Sequence, residues 1–162
     1  MKDISTVGAS ISIKCPALGS NGFILIDEFS DEGTPFDCPD VDLSENAKNL
    51  NGEMISSRKP SVYSVSVTVI PGTDQDRELA KLFHKSALYK GNVTPIADLI
   101  VSSLTINIPK IDGSGEDVVS TRKYTFSNGR AKTGPTGPSS SAEGRQAART
   151  YNFEFQDYNP EW

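Results

Sequence analysis

Residues 60–73 run Pro-Ser-Val-Tyr-Ser-Val-Ser-Val-Thr-Val-Ile-Pro-Gly-Thr, and they limit the fold more than any other part of the chain. Tyr63, Val65, Val67 and Val69 fall on one side of a period-two ladder, and Ser64, Ser66 and Thr68 fall on the other. Such alternation makes a β-strand with one buried face and one wet face lined by hydroxyls. Pro71-Gly72 ends the strand. Thr73 then caps a helix, with Asp76 three residues on in a capping-box arrangement. The wet face carries neither charge nor catalytic group, so the strand is expected to serve as a wall rather than a reaction centre.

The same reading gives short strands at 9–14 and 22–29 and further strands at 99–108, 118–127 and 150–156. In the last of these Tyr151, Phe153 and Phe155 alternate with Asn152, Glu154 and Gln156. The helix is expected over 73–89, with Leu79, Leu82, Phe83 and Ala87 as its buried stripe and Asp76, Arg77, Lys81 and Lys85 on its wet side. Residues 30–57 hold no sustained period and are expected to form a long polar loop or an extended hairpin. Residues 132–144, rich in Gly, Pro and Ser, form a second polar loop that cannot bury a core of its own. The expectation is one domain over residues 1–162: a mainly β, small antiparallel barrel or sandwich of six or seven strands with one flanking α-helix.

Chemistry is scarce. His84 is the sole histidine, and nucleophilic triads and most metal sites need a histidine with partners. Cys15 and Cys38 have no metal-ligand spacing and form no disulfide framework. Asp40-Val41-Asp42 begins like a calcium loop, but Glu45 stands where the tight turn needs Gly, and Asn51 where the bidentate Glu belongs. Residues 129–134 hold Gly, Lys and Thr without phosphate-loop spacing. No enzymatic activity, cofactor or metal is expected. No apolar run suits a leader peptide or a membrane anchor. The net charge of -5 comes without any basic run, which argues against a nucleic-acid-gripping surface.

Residues 56–80, from Ser-Ser-Arg-Lys-Pro through the long strand to Pro-Gly-Thr-Asp-Gln-Asp-Arg-Glu-Leu-Ala, resemble tail tube proteins of contractile-tailed bacteriophages. The C-terminal order is similar too: a polar Gly/Ser-rich loop, then Ser-Ala-Glu-Gly-Arg at 141–145, then the strand of Tyr151, Phe153 and Phe155. The resemblance implies a ring-forming β-barrel or sandwich. Six subunits would join into a ring around a channel, and rings would stack into a tube inside a contractile sheath. It implies as partners further copies of the chain, the sheath, the baseplate and the tape-measure protein. Double-stranded DNA would pass through without specific binding. The protein would reside in the virion tail after assembly in the host cytoplasm.

Read in this light, Ser64, Ser66, Thr68, Thr105 and Asn107 are candidates for the channel lining, since they offer a duplex no cation to stick to. Repulsion from an acidic wall would reach only about 8 Å at physiological salt. Asp27, Glu28, Asp31 and Glu32, from the acidic stretch that runs from Asp27 to Asp42, with Arg58, Lys59 and Arg145, are candidates for contacts between subunits. Open strand edges need such cover, and a heterologous ring supplies it. The same architecture would suit a tube-initiating baseplate protein, a tail terminator, or a tube protein of a type VI or tailocin-like system. Images of the assembled protein would separate these roles.

Overall fold

A computed structural model describes residues 8–19, 21–30, 34–111, 118–140 and 142–161. Its elements run β1 (Ser10–Lys14), β2 (Phe23–Ile26), β3 (Phe36–Asp37), β4 (Ser44–Lys48), β5 (Met54–Arg58), β6 (Tyr63–Val69), α1 (Asp74–Lys85), α2 (Ile96–Leu99), β7 (Val101–Ile111), β8 (Val118–Thr133) and β9 (Arg149–Glu161). Seven strands form one antiparallel sheet in the order β2-β1-β7-β8-β9-β6-β3. The sheet curls until Phe29, just past β2, bridges Val69 of β6. The result is sandwich-like and stops short of a closed barrel.

The curl has a visible cause in residue spacing. Along β7 the buried residues Leu104 and Ile106 keep period two, but the next inward residue back is Val101, three positions away. β8 repeats this slip between Phe126 and the buried Gly129. β9 repeats it between Phe155 and Tyr158, whose ring lies 4.9 Å from that of Phe126. The slips line up across the sheet: Val101 pairs with Gly129 and Gly129 with Phe155, while Leu104 pairs with Phe126 and Phe126 with Tyr158. Asn128 sits on this line with φ 55°. Gly129 is required there, because a Cβ would run into the Phe155 ring and the Glu154 carbonyl. The strands therefore extend beyond the expected ends at 127 and 156, where alternation breaks, and bend there so that both halves present their apolar sides to one core.

That core joins Ile11, Ile13, Ile24 and Ile26 of one half to Val65, Val67, Val69, Tyr151, Phe153 and Phe155 of the other, with Leu79 and Leu82 of α1. Phe83 is partly buried, with its ring 4.9 Å from Tyr151 and 5.2 Å from Phe153 in edge contacts. The helix is shorter than expected. It ends at Lys85 with Ser86 as its cap, and Ala87 lies beyond it, exposed. A side-chain network stops it: Asn92 Nδ2 donates to the carbonyls of Lys85 at 3.0 Å and Ala87 at 2.6 Å. Two residues expected on the wet side are not there. Lys85 is half-buried and donates to the Ala17 carbonyl at 3.0 Å, and Asp76 is buried.

Of the two forms expected for the segment 30–57, the extended hairpin is the one found among its described residues. Phe36 and Asp37 pair with Val67 and Ser66 at the sheet edge. β4 and β5 then form a separate two-stranded hairpin in which every residue is exposed. In the other polar loop, residues 132 and 133 belong to β8, and Ser140 bridges Gln146.

Candidate subunit interface

The strongest candidate surface is the hairpin of β4 and β5. A two-stranded hairpin without a core is marginally stable in water. This one is held by its own ladder, from Ser44 opposite Arg58 to Lys48 opposite Met54, and by its turn. In that turn Asn49 Oδ1 accepts from the Asn51 and Glu53 amides at 2.9 and 3.0 Å, and Gly52 has φ 80°. At its base Lys59 Nζ lies 3.4 Å from Asp42, and the Ser61 hydroxyl donates to the Asp42 carbonyl. Leu50, Met54 and Ile55 project into solvent. An arm with apolar side chains and unpaired outer edges is suited to association.

The expected contact residues fall in different places. Arg58 ends β5 and Lys59 follows it, so both lie at the foot of the hairpin. Asp27 and Glu28 are latched to the helix instead. Gln75 Nε2 donates to Asp27 Oδ1 at 2.7 Å, and Gln75 Oε1 accepts from both backbone amides at 3.3 and 3.2 Å. Arg145 is exposed and lines a surface hollow with Ser30 and Pro71. Asp31 and Glu32 lie outside the described residues.

The hydroxyl face differs from the expected uncharged wall. Ser64 stands opposite Glu154, which forms an ion pair with Lys132 at 2.6 Å, and Arg130 lies on the next strand. Thr105 stands opposite Thr125 with 3.4 Å between their hydroxyls, Asn107 Nδ2 donates to Ser12 Oγ at 3.2 Å, and Asn107 pairs with Lys123. A single strand's alternation does not reveal what its neighbours contribute, which is how these charges escape the sequence reading. Thr68 is not wet: it is 6% exposed, and its hydroxyl meets that of Thr150 at 3.0 Å. Ser64 and Ser66 remain half-exposed. The two groups of residues flank the bend, Ser64 and Ser66 on one half of the sheet and Thr105 and Asn107 on the other.

One buried polar cluster fixes the helix relative to the sheet. Asp76 accepts from the Gly72 amide at 3.0 Å, from Arg149 Nε at 2.8 Å and from the Tyr151 hydroxyl at 2.5 Å. The Thr73 hydroxyl accepts from the Asp76 amide at 3.2 Å, so half of the expected capping box forms, while the carboxylate turns to Gly72 and β9. Burial, aided by the hydrogen bond to Asp76, pushes the Tyr151 phenol up to about 12. The hydrogen bond with Tyr151 is the largest influence holding Arg149 in its charged form. Arg149 also donates to the Gly137 carbonyl at 3.3 Å, which ties down the 134–140 arm. Alternation and capping signals give no hint of this cluster, since Asp76 and Arg149 are 73 residues apart.

Among the described residues, no group of three or more His, Cys, Asp or Glu side chains is arranged to hold a metal, and no helix is long and apolar enough to cross a membrane. Burial pushes the Cys15 thiol up, and desolvation pushes that of Cys38, which is exposed, up to about 11.

No curated protein sequence matches the chain. Solved structures share its fold over nearly its whole length. One is the cap that terminates the tube of the anti-feeding prophage, at 14% identity and TM-score 0.56, covering 99% of this chain and 92% of that one. A second is described as the sheath/tube terminator, in the extended state, of PVC, an extracellular contractile injection system, at 14% identity and TM-score 0.58, covering 100% and 99%. A third comes from the extended sheath–tube complex of PVC, at 13% identity and TM-score 0.55, covering 98% and 91%. A family model described as tail fiber protein gp32 matches residues 2–159, and the chain therefore belongs to that phage-tail family.

Proposed function

We propose that the protein is a non-enzymatic, ring-forming structural component of a contractile tail, placed at the end of the tube as a terminator or cap. The observation that carries this reading is the full-length likeness of fold to two proteins that terminate tubes. The open sheet edges and the exposed β4–β5 arm supply the surfaces such a ring needs. Its partners in this reading are further copies of the chain, the tube ring below and the sheath around it, in the tail of the assembled particle. DNA or another cargo would pass the polar face without specific binding.

A tube subunit, the role implied by the sequence resemblance, is the second reading, and the neighbour from a sheath–tube complex favours it. Electron microscopy separates the two. A terminator forms single closed rings and stops growing tubes of the same tail when added to them. A tube subunit lengthens them and forms long tubes alone. A persistent monomer, even with tail partners present, overturns both readings.

A further inference from the structure

Two apolar surfaces lie apart from the hairpin, one a groove at the edge of the core and one a loop. A groove of about 810 Å³ opens between the strap 36–43 and the inward side of β7 and β8. Its walls are Tyr63, Ile106, Tyr124, Phe126 and Tyr158, and its rim carries the exposed carboxylates of Asp37 and Asp40.

The second surface is the loop that follows α1. Leu88 and Val93 are 103% and 89% exposed, and Ile96 is 66% exposed. The loop is pinned from within. Besides the two bonds from its side-chain amide, Asn92 Oδ1 accepts from the Thr94 amide at 3.1 Å, and the Asn92 amide donates to the Tyr89 carbonyl at 3.2 Å. Tyr89 stacks on His84 with centroids 4.7 Å apart. A held backbone thus presents three aliphatic side chains to water, with Lys90 exposed among them. Clustered exposed apolar residues of this kind mark association sites.

We propose that the 88–96 loop of one copy seats in the groove under the 36–43 strap of the next copy. Within one chain the contact is not made, since the loop residues stay exposed. The apolar knob suits the aromatic walls, and Lys90 complements the acidic rim. The hairpin suits the groove less well, because Glu45, Lys48, Glu53 and Arg58 leave it without net charge. Knob and groove are different patches of one molecule, so the contact is heterologous, the kind from which a ring is built when its rotation closes. The inference rests on the ring-forming reading and names the surfaces that would join its subunits.

The test is a charge exchange. Lys90→Glu and Asp40→Lys each alter an exposed side chain, so the melting temperature should hold. Each should raise the concentration at which particles form by roughly tenfold, and the double variant should return it towards that of the parent. Val93→Asp should abolish assembly. Cys38 lines the groove, so Val93→Cys should give an intersubunit disulfide ladder under oxidation that Cys38→Ser removes. If the parent forms rings and Lys90→Glu and Val93→Asp form them equally well, the knob-and-groove contact is wrong and the ring reading stands. If the parent never assembles with its tail partners present, both fall.

Discussion

Asp76 offers the sharpest test of how this fold is held. It is 7% exposed, and it accepts from Gly72, Arg149 and Tyr151 at 3.0, 2.8 and 2.5 Å. Asp76→Ala leaves the Arg149 guanidinium, 14% exposed, without its carboxylate. Removing one partner of a buried ion pair costs about 3–5 kcal/mol. Three weaker bonds survive, Tyr151 hydroxyl to the Asp76 carbonyl, Arg149 Nε to the Tyr151 hydroxyl and Arg149 to the Gly137 carbonyl, all at 3.3 Å. The lower end, about 3 kcal/mol, is therefore expected. That is a large share of the roughly 5–15 kcal/mol of a small domain. At a urea slope of about 1–3 kcal/mol per molar, the unfolding midpoint should fall by about 1–3 M with the slope unchanged. Adding Arg149→Met removes the orphaned charge, so the double variant should be more stable than the sum of the singles by about 1 kcal/mol or more. An Asp76→Ala variant within about 1 kcal/mol of the parent, or strict additivity in the cycle, would refute the account.

The phenol of Tyr151 should also show in alkaline unfolding. Its folded value of about 12 lies above the ordinary 10, so its contribution is complete below pH 10 and is lost as pH rises towards 12. The loss is about 2–3 kcal/mol, and urea melts of Tyr151→Phe across that window should lack it. Thr68→Lys should sharply lower soluble yield because the site is buried, whereas Ser64→Lys, opposite Glu154, should leave the melting temperature within a few degrees. Gly129→Ala forces a methyl into the Phe155 ring and should cost about 1–3 kcal/mol or more by denaturant titration. Lys85→Glu should destabilise more than Lys81→Glu, because only Lys85 donates to the Ala17 carbonyl, and paired thermal melts of the two variants check this.

Local pattern exposed much of this fold and little of its joints. The strand of Tyr63, Val65, Val67 and Val69 and the cap at Thr73 were legible because period two and a hydroxyl before an acidic turn are set by backbone geometry alone. Unbroken alternation ends the strands at Ser127 and Gln156, whereas the chain breaks alternation where the sheet turns and continues beyond. The signal was present as three-residue gaps between apolar residues, in Val-Ser-Ser-Leu, Phe-Ser-Asn-Gly and Phe-Gln-Asp-Tyr. Asp76, Lys85 and Thr68 look like surface residues because their partners, Arg149, Ala17 and Thr150, are remote in sequence. The hairpin's polar strands carry no periodic apolar face, since neither face meets the core. An interface surface obeys the needs of a neighbour, and one chain's periodicity records only its own packing.

The bend of the main sheet is written in lengths more than in residue types. Between inward-facing residues, β7, β8 and β9 each spend one extra position on the same line. Ser102, Asn128 and Gln156 on that line are exposed, so exchanging one polar residue for another there should matter little. Deleting a single residue in one strand is another matter. It would turn every inward side chain on one side of the cut out to solvent while both neighbouring strands kept their phase. Related chains should therefore vary along this line by substitution and keep its residue count, whereas the solvent-bound tip at 49–53 is free to grow or shrink.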